Sequence, residues 1–368
     1  MKRWTSYLLA LAALAAAAIF LQRSSSEGEL SSDWWSQFAV EDSSSIDRIR
    51  IADVQGRVAD LTRQDGHPLG LWRINGLYYA RKDATDLLLK TALRTRVRQP
   101  VTAAANAGVL KMIATAGKRV DFFERGQSEP VKTWFIGTPT QSHSGTHMLL
   151  ELSDEGRAPV PFVTHMEGFT GFLSTRFFTD ELDWRYTGIY NQPLSNIASI
   201  TAIPHNDQGR AARIELPADG GTPNVQSLDG SKLACSQTAI EEVVLRFEKV
   251  HIETWMSHLT EAGEDSVKQS VPAWDITVAY RDGELRNLQL FWKPKIQEIP
   301  DGYGNILRFD NSRMFGGYKG ELALVQTFVF DPILKFWRNL APADSAQIDP
   351  AVHAAVHTEN HPAIHAPL

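Results

Sequence analysis

The sequence predicts an α+β fold of two tandem related domains, each a mostly antiparallel sheet with about two helices, after an N-terminal transmembrane helix. Three observations indicate this fold. An apolar run opens the chain, strand-like and helix-like segments follow in the order strands, helices, strands, and that order recurs farther along. Strands grouped in this way form antiparallel sheets, whereas a parallel sheet needs strands and helices in alternation.

The opening apolar run predicts the membrane helix. Lys2 and Arg3 precede a run from Trp4 to Leu21. At about 1.5 Å per residue this run would be roughly 27 Å long, enough for a thin hydrocarbon core. A cleavable signal peptide is the alternative, because the tract Ala15–Ala18 offers a small-residue cleavage site. The apolar run continues past that tract, which favours an uncleaved anchor.

The charges around this helix predict its orientation. Basic residues stand before the helix, so its N-terminus is expected to stay in the cytoplasm. We therefore expect residues 1–23 to anchor the chain in the inner membrane as a single pass, with the bulk of the chain in the periplasm. Residues 24–37, rich in serine with scattered acids, are interpreted as a polar linker.

Residues 38–167 are predicted to form the first α+β domain. The alternation from Ile46 to Ile51 indicates a strand, and Asn75-Gly76 is the strongest short signal for a hairpin turn. Asp83 is the expected N-cap of a first helix. A second helix is expected from Ala103 to Ala116, where a glycine follows. Strands are expected again after this helix.

A second domain of residues 197–340 is predicted to repeat this order. The isoleucines from Ile197 to Ile203 indicate a strand, Thr238 to Val250 a helix, and Asp282-Gly283 a hairpin turn. The repeat is about 150 residues long, longer than solenoid units, and therefore indicates domain duplication. Residues 168–196 are the expected linker between the domains.

Several short motifs carry a resemblance to a known family. They are Phe38-Ala39-Val40-Glu41-Asp42, Ile46-Asp47-Arg48-Ile49, the segment around Trp72 and Asn75-Gly76, Gly137-Thr138-Pro139-Thr140, Gly145-Thr146-His147-Met148-Leu149-Leu150, Phe162-Val163-Thr164-His165, Gly168-Phe169-Thr170-Gly171-Phe172-Leu173, Arg176-Phe177 and Trp184-Arg185. Over roughly residues 38–205 the chain resembles the bacterial domain of unknown function 4340 family in its single-anchor, Gram-negative form. Glu167 stands where the family pattern has proline.

The resemblance implies a place in the cell rather than a chemistry. The family has no established activity and no recognised catalytic residues, so no site can be transferred from it. Some relatives are encoded beside transporter components related to gliding-motility auxiliaries. The resemblance therefore implies an accessory role in a membrane complex.

Composition excludes some kinds of site and partner. The formal net charge of −6 argues against a nucleic-acid partner, because there is no basic surface to neutralise phosphates. Cys235 is the only cysteine, which excludes an intrachain disulfide and any multi-cysteine metal site. No cofactor is indicated.

The C-terminal tail, residues 341–368, carries a histidine pattern. Its members recur every fourth residue, at His353, His357, His361 and His365. On a helix this spacing would place four imidazoles on one stripe, where they could bind Zn²⁺ or Cu²⁺. Pro362 and Pro367 interrupt a continuous helix, so a solvated tail is the competing interpretation.

Other chemical patterns are weaker. His147, His165 and Glu167 could form a metal site if their strand ends met, but histidine is also common at such positions. The chain has no Gly-x-Ser-x-Gly elbow, no phosphate-binding Walker loop and no His-Glu-x-x-His motif, so no hydrolase site is recognisable.

Aromatic residues crowd the predicted linker. Phe169, Phe172, Phe177 and Trp184 lie within eighteen positions, together with Phe178 and Tyr186. One interpretation is a buried interface between the two halves; the other is a partner-binding surface on these first four residues.

The sequence therefore predicts a non-enzymatic accessory or scaffolding component of an envelope or transport complex. An envelope hydrolase is the alternative. A deep polar cleft holding convergent ionisable residues would favour the hydrolase, and an exposed aromatic patch would favour the scaffold.

Overall fold

A computed structural model of this protein describes residues 34–256, 259–295, 306 and 308–340. These residues form a mixed α+β structure of mostly antiparallel sheets, which confirms the predicted class. The predicted anchor at 1–23 and the tail at 341–368 lie outside the described residues. None of the described helices is long and apolar enough to cross a membrane. The chain divides into two units between Tyr186 and Thr187.

The first unit contains one ten-stranded sheet. Its strands are β1 Ile46–Asp53, β2 Val58–Arg63, β3 Trp72–Ile74, β4 Tyr78–Tyr79, β5 Thr95–Pro100, β6 Lys118–Glu124, β7 Lys132–Pro139, β8 Thr146–Leu152, β9 Gly156–Arg157 and β10 Phe162–Met166. Its helices are α1 Lys82–Arg94, α2 Ala103–Ala116 and α3 Glu181–Trp184, with 3-10 helices at Trp34–Ser36 and Ser174–Arg176. The strand order is β4-β3-β2-β1-β6-β7-β8-β10-β5, and β9 pairs with β8.

The core of the first unit follows from alternation along its strands. Ile49 lies opposite both Leu61 and Phe122 in the antiparallel register, and all three side chains are buried. Directly opposite residues share a face of the sheet, so this face is apolar. Helix α1 adds Leu88 and Ala92 to the same hydrophobic cluster.

Residues 37–39, the first of which ends the predicted polar linker, are bound to this core. Phe38 is buried, and its carbonyl accepts a 3.1 Å hydrogen bond from Trp134 Nε1. Lys132 Nζ donates to the carbonyls of Gln37, at 2.8 Å, and Ala39. The last residues of the predicted polar linker, 34–37, therefore belong to the first unit, because backbone groups and rings bind them there.

The partly buried amine of Lys132 should make the stability of the first unit depend on pH. Burial, opposed by Glu41 and Glu124, lowers the pKa of Lys132 to about 8, whereas an unfolded lysine titrates near 10.4. Between these values the unfolded state binds more protons, so the free energy of unfolding rises with pH. We expect a gain of about 2 kcal/mol from about pH 8 to pH 10, measured by urea unfolding.

The Lys132→Met variant should lose that gain, while Lys111→Met, at an exposed lysine, should retain it. Equal pH profiles for wild type and Lys132→Met would contradict the assignment to Lys132.

The second unit contains an eight-stranded antiparallel sheet in the order β14-β13-β12-β17-β18-β19-β20-β16. Its strands are β11 Gly188–Tyr190, β12 Ile197–Pro204, β13 Ala212–Glu215, β14 Asn224–Ser227, β15 Val250–His251, β16 Thr254–Trp255, β17 Trp274–Tyr280, β18 Leu285–Pro294, β19 Phe309–Tyr318 and β20 Glu321–Gln326. Its helices are α4 Gln237–Arg246, α5 Glu261–Gln269 and α6 Thr327–Arg338, and β11 pairs with β15.

Helix α6 and a partly buried ion pair stabilise the second unit. Trp337 is fully buried, and its Nε1 donates to the carbonyl of Ala212 at 3.0 Å. Arg286 binds the Glu284 carboxylate through Nε and Nη2, both at 2.9 Å. Its Nη1 donates to the carbonyl of Ile189. The strand β11 is thereby bound to the sheet.

The structure divides the predicted linker of 168–196 between the two units. Leu173, Phe177 and Trp184 are fully buried in the core of the first unit, and the amide of Tyr186 donates to the carbonyl of Tyr79 at 2.7 Å. The residues after Thr187 form β11 and β12 of the second unit. The segment is folded because its large apolar side chains complete a core.

The two sheets share one order of connections. In the first sheet, the chain forms β1, β2 and β3, and then α1, β5 and α2. The later strands β6, β7, β8 and β10 lie side by side, in that order, between β1 and β5. In the second sheet, the chain forms β12, β13 and β14, and then α4, β16 and α5. The later strands β17, β18, β19 and β20 lie side by side, in that order, between β12 and β16. Eight strands thus occupy equivalent places.

Candidate functional site

The candidate site is a glycine-rich loop of the first unit, residues 166–176, here called the Phe169 loop. It leads from β10 into the 3-10 helix Ser174–Arg176. The amide of Phe169 donates to the carbonyl of Met166 at 3.1 Å. Gly168 and Gly171 have φ of 74° and 140°, which residues with a Cβ rarely adopt. The turn therefore depends on these two glycines.

The far end of the loop is fixed from inside the protein. The side chain of Leu173 is fully buried, and its amide donates to Thr146 Oγ1 at 2.7 Å. At the near end, the amide of Glu167 donates to the carbonyl of Arg94 at 3.1 Å. The loop is therefore bound to strand β8 and to helix α1.

Arg176, the last residue of this loop, has only 9% of its surface exposed. Its Nη1 donates to Thr91 Oγ1 at 2.8 Å and to Met166 Sδ at 3.1 Å. Thr91 is itself fully buried on α1 and donates its hydroxyl to the carbonyl of Leu87. The hydroxyl is thus oriented to accept from the guanidinium.

No described carboxylate forms an ion pair with Arg176. Burial lowers the pKa of its guanidinium from the usual value, but arginine remains a cation at neutral pH. A buried charge without a counter-ion is unusual, because buried ions are normally paired.

Phe169 covers the guanidinium. The carbon centre of Arg176 lies 4.1 Å from the centre of the Phe169 ring, within the range of a cation–π contact. The ring remains 37% exposed. An exposed aromatic side chain is therefore held in place by a buried cation.

A second ring and several hydroxyls border the loop. Phe172 is half-buried, and its ring centre is 5.7 Å from that of His143. His143 has a positive φ of 53° in the turn between β7 and β8. Beside it, Ser142 Oγ and Ser144 Oγ lie 2.7 Å apart. This surface therefore combines aromatic rings with polar groups.

The other two predicted partner-binding residues are internal. Phe177 and Trp184 are fully buried, with the Phe177 ring 6.2 Å from that of Trp134. Trp184 Nε1 donates to the carbonyl of Phe178 at 3.1 Å. The structure therefore keeps Phe169 and Phe172 on the candidate surface and assigns Phe177 and Trp184 to the core.

Arg176 itself was not among the residues predicted to bind a partner. The available signal was its position, since it is the one charged residue between Gly168 and Thr179. An isolated cation in an apolar segment is either buried with a partner or functional, and sequence alone does not distinguish these cases.

The predicted metal sites receive no support from the described residues. His353, His357, His361 and His365 lie outside them. Within the described residues no three histidine, cysteine or acidic side chains could hold a metal ion together. His147 Nδ1 is 3.1 Å from the Thr138 carbonyl oxygen, and Glu167 pairs with Arg96 at 3.3 Å.

The second unit has a cavity of about 370 Å³ between α6 and the sheet. Its apolar walls are Pro204, Ala273, Trp274, Trp292, Met314, Phe330 and Leu334. Its rim carries two ion pairs, Asp207–Arg210 at 2.7 Å and Asp331–Arg338 at 2.6 Å. Because each acid is paired with an arginine, the cavity is apolar and charge-balanced rather than a polar cleft.

Comparisons with known proteins identify no family. No protein-family model matches the chain, and no curated protein matches it. Among solved structures, the comparison finds the crystal structure of HpuA from Kingella denitrificans in complex with human haemoglobin. The identity is 9%, over 84% of this chain and 96% of that chain, with a TM-score of 0.11. A score this low does not indicate a common fold.

Proposed function

We propose that this protein is a non-enzymatic accessory or scaffolding component of an envelope or transport complex, acting through protein contacts. The single observation that carries the proposal is the exposed Phe169 ring, held in place over the buried cation of Arg176. Aromatic residues and arginine are enriched at the centres of protein interfaces. A ring that is already held loses little conformational freedom on binding, which favours affinity.

The proposed cellular context comes from the sequence. Residues 1–23 are proposed as an inner-membrane anchor, with both units in the periplasm. Resemblance to the domain of unknown function 4340 family supports the same placement, and membership of that family remains a proposal. The equivalent places of eight strands in the two sheets support the proposal that the units are tandem related domains.

The alternative, an envelope hydrolase, has less support. The cavity between α6 and the sheet of the second unit has apolar walls and a rim of paired charges. A hydrolase site needs ionisable groups that converge on a substrate, and paired acids and arginines at a rim do not provide that arrangement. The exposed ring favours the scaffold.

Substitution of Phe169 tests the proposal. The full-length protein, with its anchor, would be captured from membranes in mild detergent after chemical cross-linking. We expect Phe169→Ala to reduce recovery of a specific partner by about tenfold or more, because removal of a central aromatic residue typically costs about 2 kcal/mol. Phe328→Ala is the matched control, since Phe328 is 72% exposed and lies in the second unit.

Unchanged recovery in Phe169→Ala would refute a role for the loop in partner binding. Equal losses in both variants would point to a general loss of exposed apolar surface, and would also count against the proposal.

A further inference from the structure

We propose that Arg176 is the recognition residue for a carboxylate carried by a protein partner. The inference rests on the proposed function, which assigns partner contact to the Phe169 loop. It adds the chemistry of the group that is bound. The starting observation is the difference between Arg176 and Arg286, a partly buried arginine of the same chain.

Arg286 shows what a fully partnered, partly buried arginine looks like in this protein. Its side chain is 13% exposed, its Nη1 donates to neutral oxygens of Ile189 and Asn191, and its Nε and Nη2 bind both oxygens of Glu284. This is the bidentate geometry that a guanidinium forms with a carboxylate.

Arg176 has one half of that arrangement. Its Nη1 donates to the neutral acceptors Thr91 Oγ1 and Met166 Sδ, as Nη1 of Arg286 does to its own. Its Nε and Nη2 donate to no described acceptor. Neither is among the buried, unpartnered atoms of the described residues, so both reach the surface. The edge that would bind a carboxylate is open.

The surroundings hold this edge in position. Thr91 and Met166 bind one side of the guanidinium, and the Phe169 ring covers one face at 4.1 Å. These contacts hold the guanidinium in one position, whereas the flexible side chain of a lysine would extend into solvent. A fixed guanidinium that is largely buried gains more from an anion than a fully exposed arginine does, because solvent screens its charge less.

The flanking groups favour a carboxylate over a phosphate. A planar carboxylate uses the two donors of one guanidinium edge fully. Phosphate sites generally add further cations or a run of amides, whereas an aromatic ring, that of Phe169, lies against this guanidinium. The preferred ligand is therefore a peptide carboxylate next to an apolar side chain, from either a C-terminus or an acidic residue.

Probe binding to the full-length protein in detergent micelles tests this inference. The probes are N-acetyl-phenylalanine, N-acetyl-phenylalanine amide, a phenylalanyl-aspartate peptide with an amidated C-terminus, and inorganic phosphate. Saturation-transfer NMR observes the ligand and suits a large micelle. We expect the two carboxylate probes to bind and the uncharged amide to bind at least tenfold more weakly. Whichever carboxylate probe binds more tightly identifies the source.

Variants then assign that binding to Arg176. Arg176→Lys keeps the charge but lacks the two-donor edge, so we expect about a tenfold loss of carboxylate affinity. Arg176→Gln should lose it further and should remain folded, since it removes an unpaired buried charge; thermal unfolding checks this. Arg213→Gln, at an exposed arginine of the second unit, is the control and should bind as wild type.

Two outcomes would overturn the inference. One is equal binding of the acid and amide probes, or tighter binding of phosphate than of either carboxylate. The other is unchanged carboxylate affinity in folded Arg176→Lys and Arg176→Gln. If Phe169→Ala still abolished partner capture in those cases, the proposed function would stand without the carboxylate.

Discussion

Replacing Trp184 by alanine is expected to lower the free energy of unfolding of the first unit by about 3–5 kcal/mol. Trp184 is fully buried, its Nε1 donates to the Phe178 carbonyl, and its ring centre is 5.3 Å from that of Phe178. The substitution removes a large apolar ring and leaves a cavity. It also leaves the partly buried Phe178 carbonyl without this donor, which adds to the loss.

Phe169→Ala is the matched comparison, because both residues were predicted to bind a partner. At an exposed ring the loss of stability should stay within about 1 kcal/mol. Amide hydrogen exchange read by mass spectrometry is the appropriate measurement, since it reports opening of the first unit alone in a chain of two units. A Trp184→Ala variant as stable as wild type, but without partner capture, would return Trp184 to the binding surface.

Replacing Gly117 by alanine is expected to destabilise the first unit by about 3 kcal/mol, toward the upper range for overpacked sites. A Cβ at Gly117 would lie 2.3 Å from the Ile113 carbonyl oxygen and 2.8 Å from that of Ile136. Both are backbone atoms, of helix α2 and strand β7, so neither can move without shifting its element. Gly117 forms the tight junction between α2 and β6.

Gly108→Ala provides the control with the opposite sign. Gly108 lies on the same helix, is exposed, and has nothing within 4 Å of an added Cβ. Alanine there should stabilise by about 0.5–1 kcal/mol through the lower entropy of the unfolded chain. Chemical unfolding of the two variants checks both signs. Equal effects of the two substitutions would show that the packing at Gly117 is looser than described.

Much of the local structure was predictable, because it depends on neighbouring residues. The second helix was predicted at Ala103–Ala116 and is found with those bounds. Asn75-Gly76 forms the turn between β3 and β4, and both residues have the positive φ that such a turn requires. These features follow from backbone preferences within a few residues.

Other boundaries were wrong where a competing local ion pair or a tertiary contact decides. Asp83 was expected to cap α1, but the helix begins at Lys82 and Asp83 pairs with Arg81 instead. The helix expected to reach Val250 ends at Arg246, because Val250 pairs with Tyr190 across β11 and β15. The first difference comes from a neighbouring arginine that binds the Asp83 carboxylate. The second comes from a strand partner that is remote in sequence.

The order of strands and helices, the apolar leader and the aromatic cluster could be inferred from the chain itself, since periodicity and composition reflect local physics. The tertiary structure alone separated Phe169 from Trp184, two aromatic residues of one segment. It also placed Thr91, which is distant in sequence, against Arg176. Burial and ion pairing depend on which remote residues meet, and a linear pattern does not contain that information.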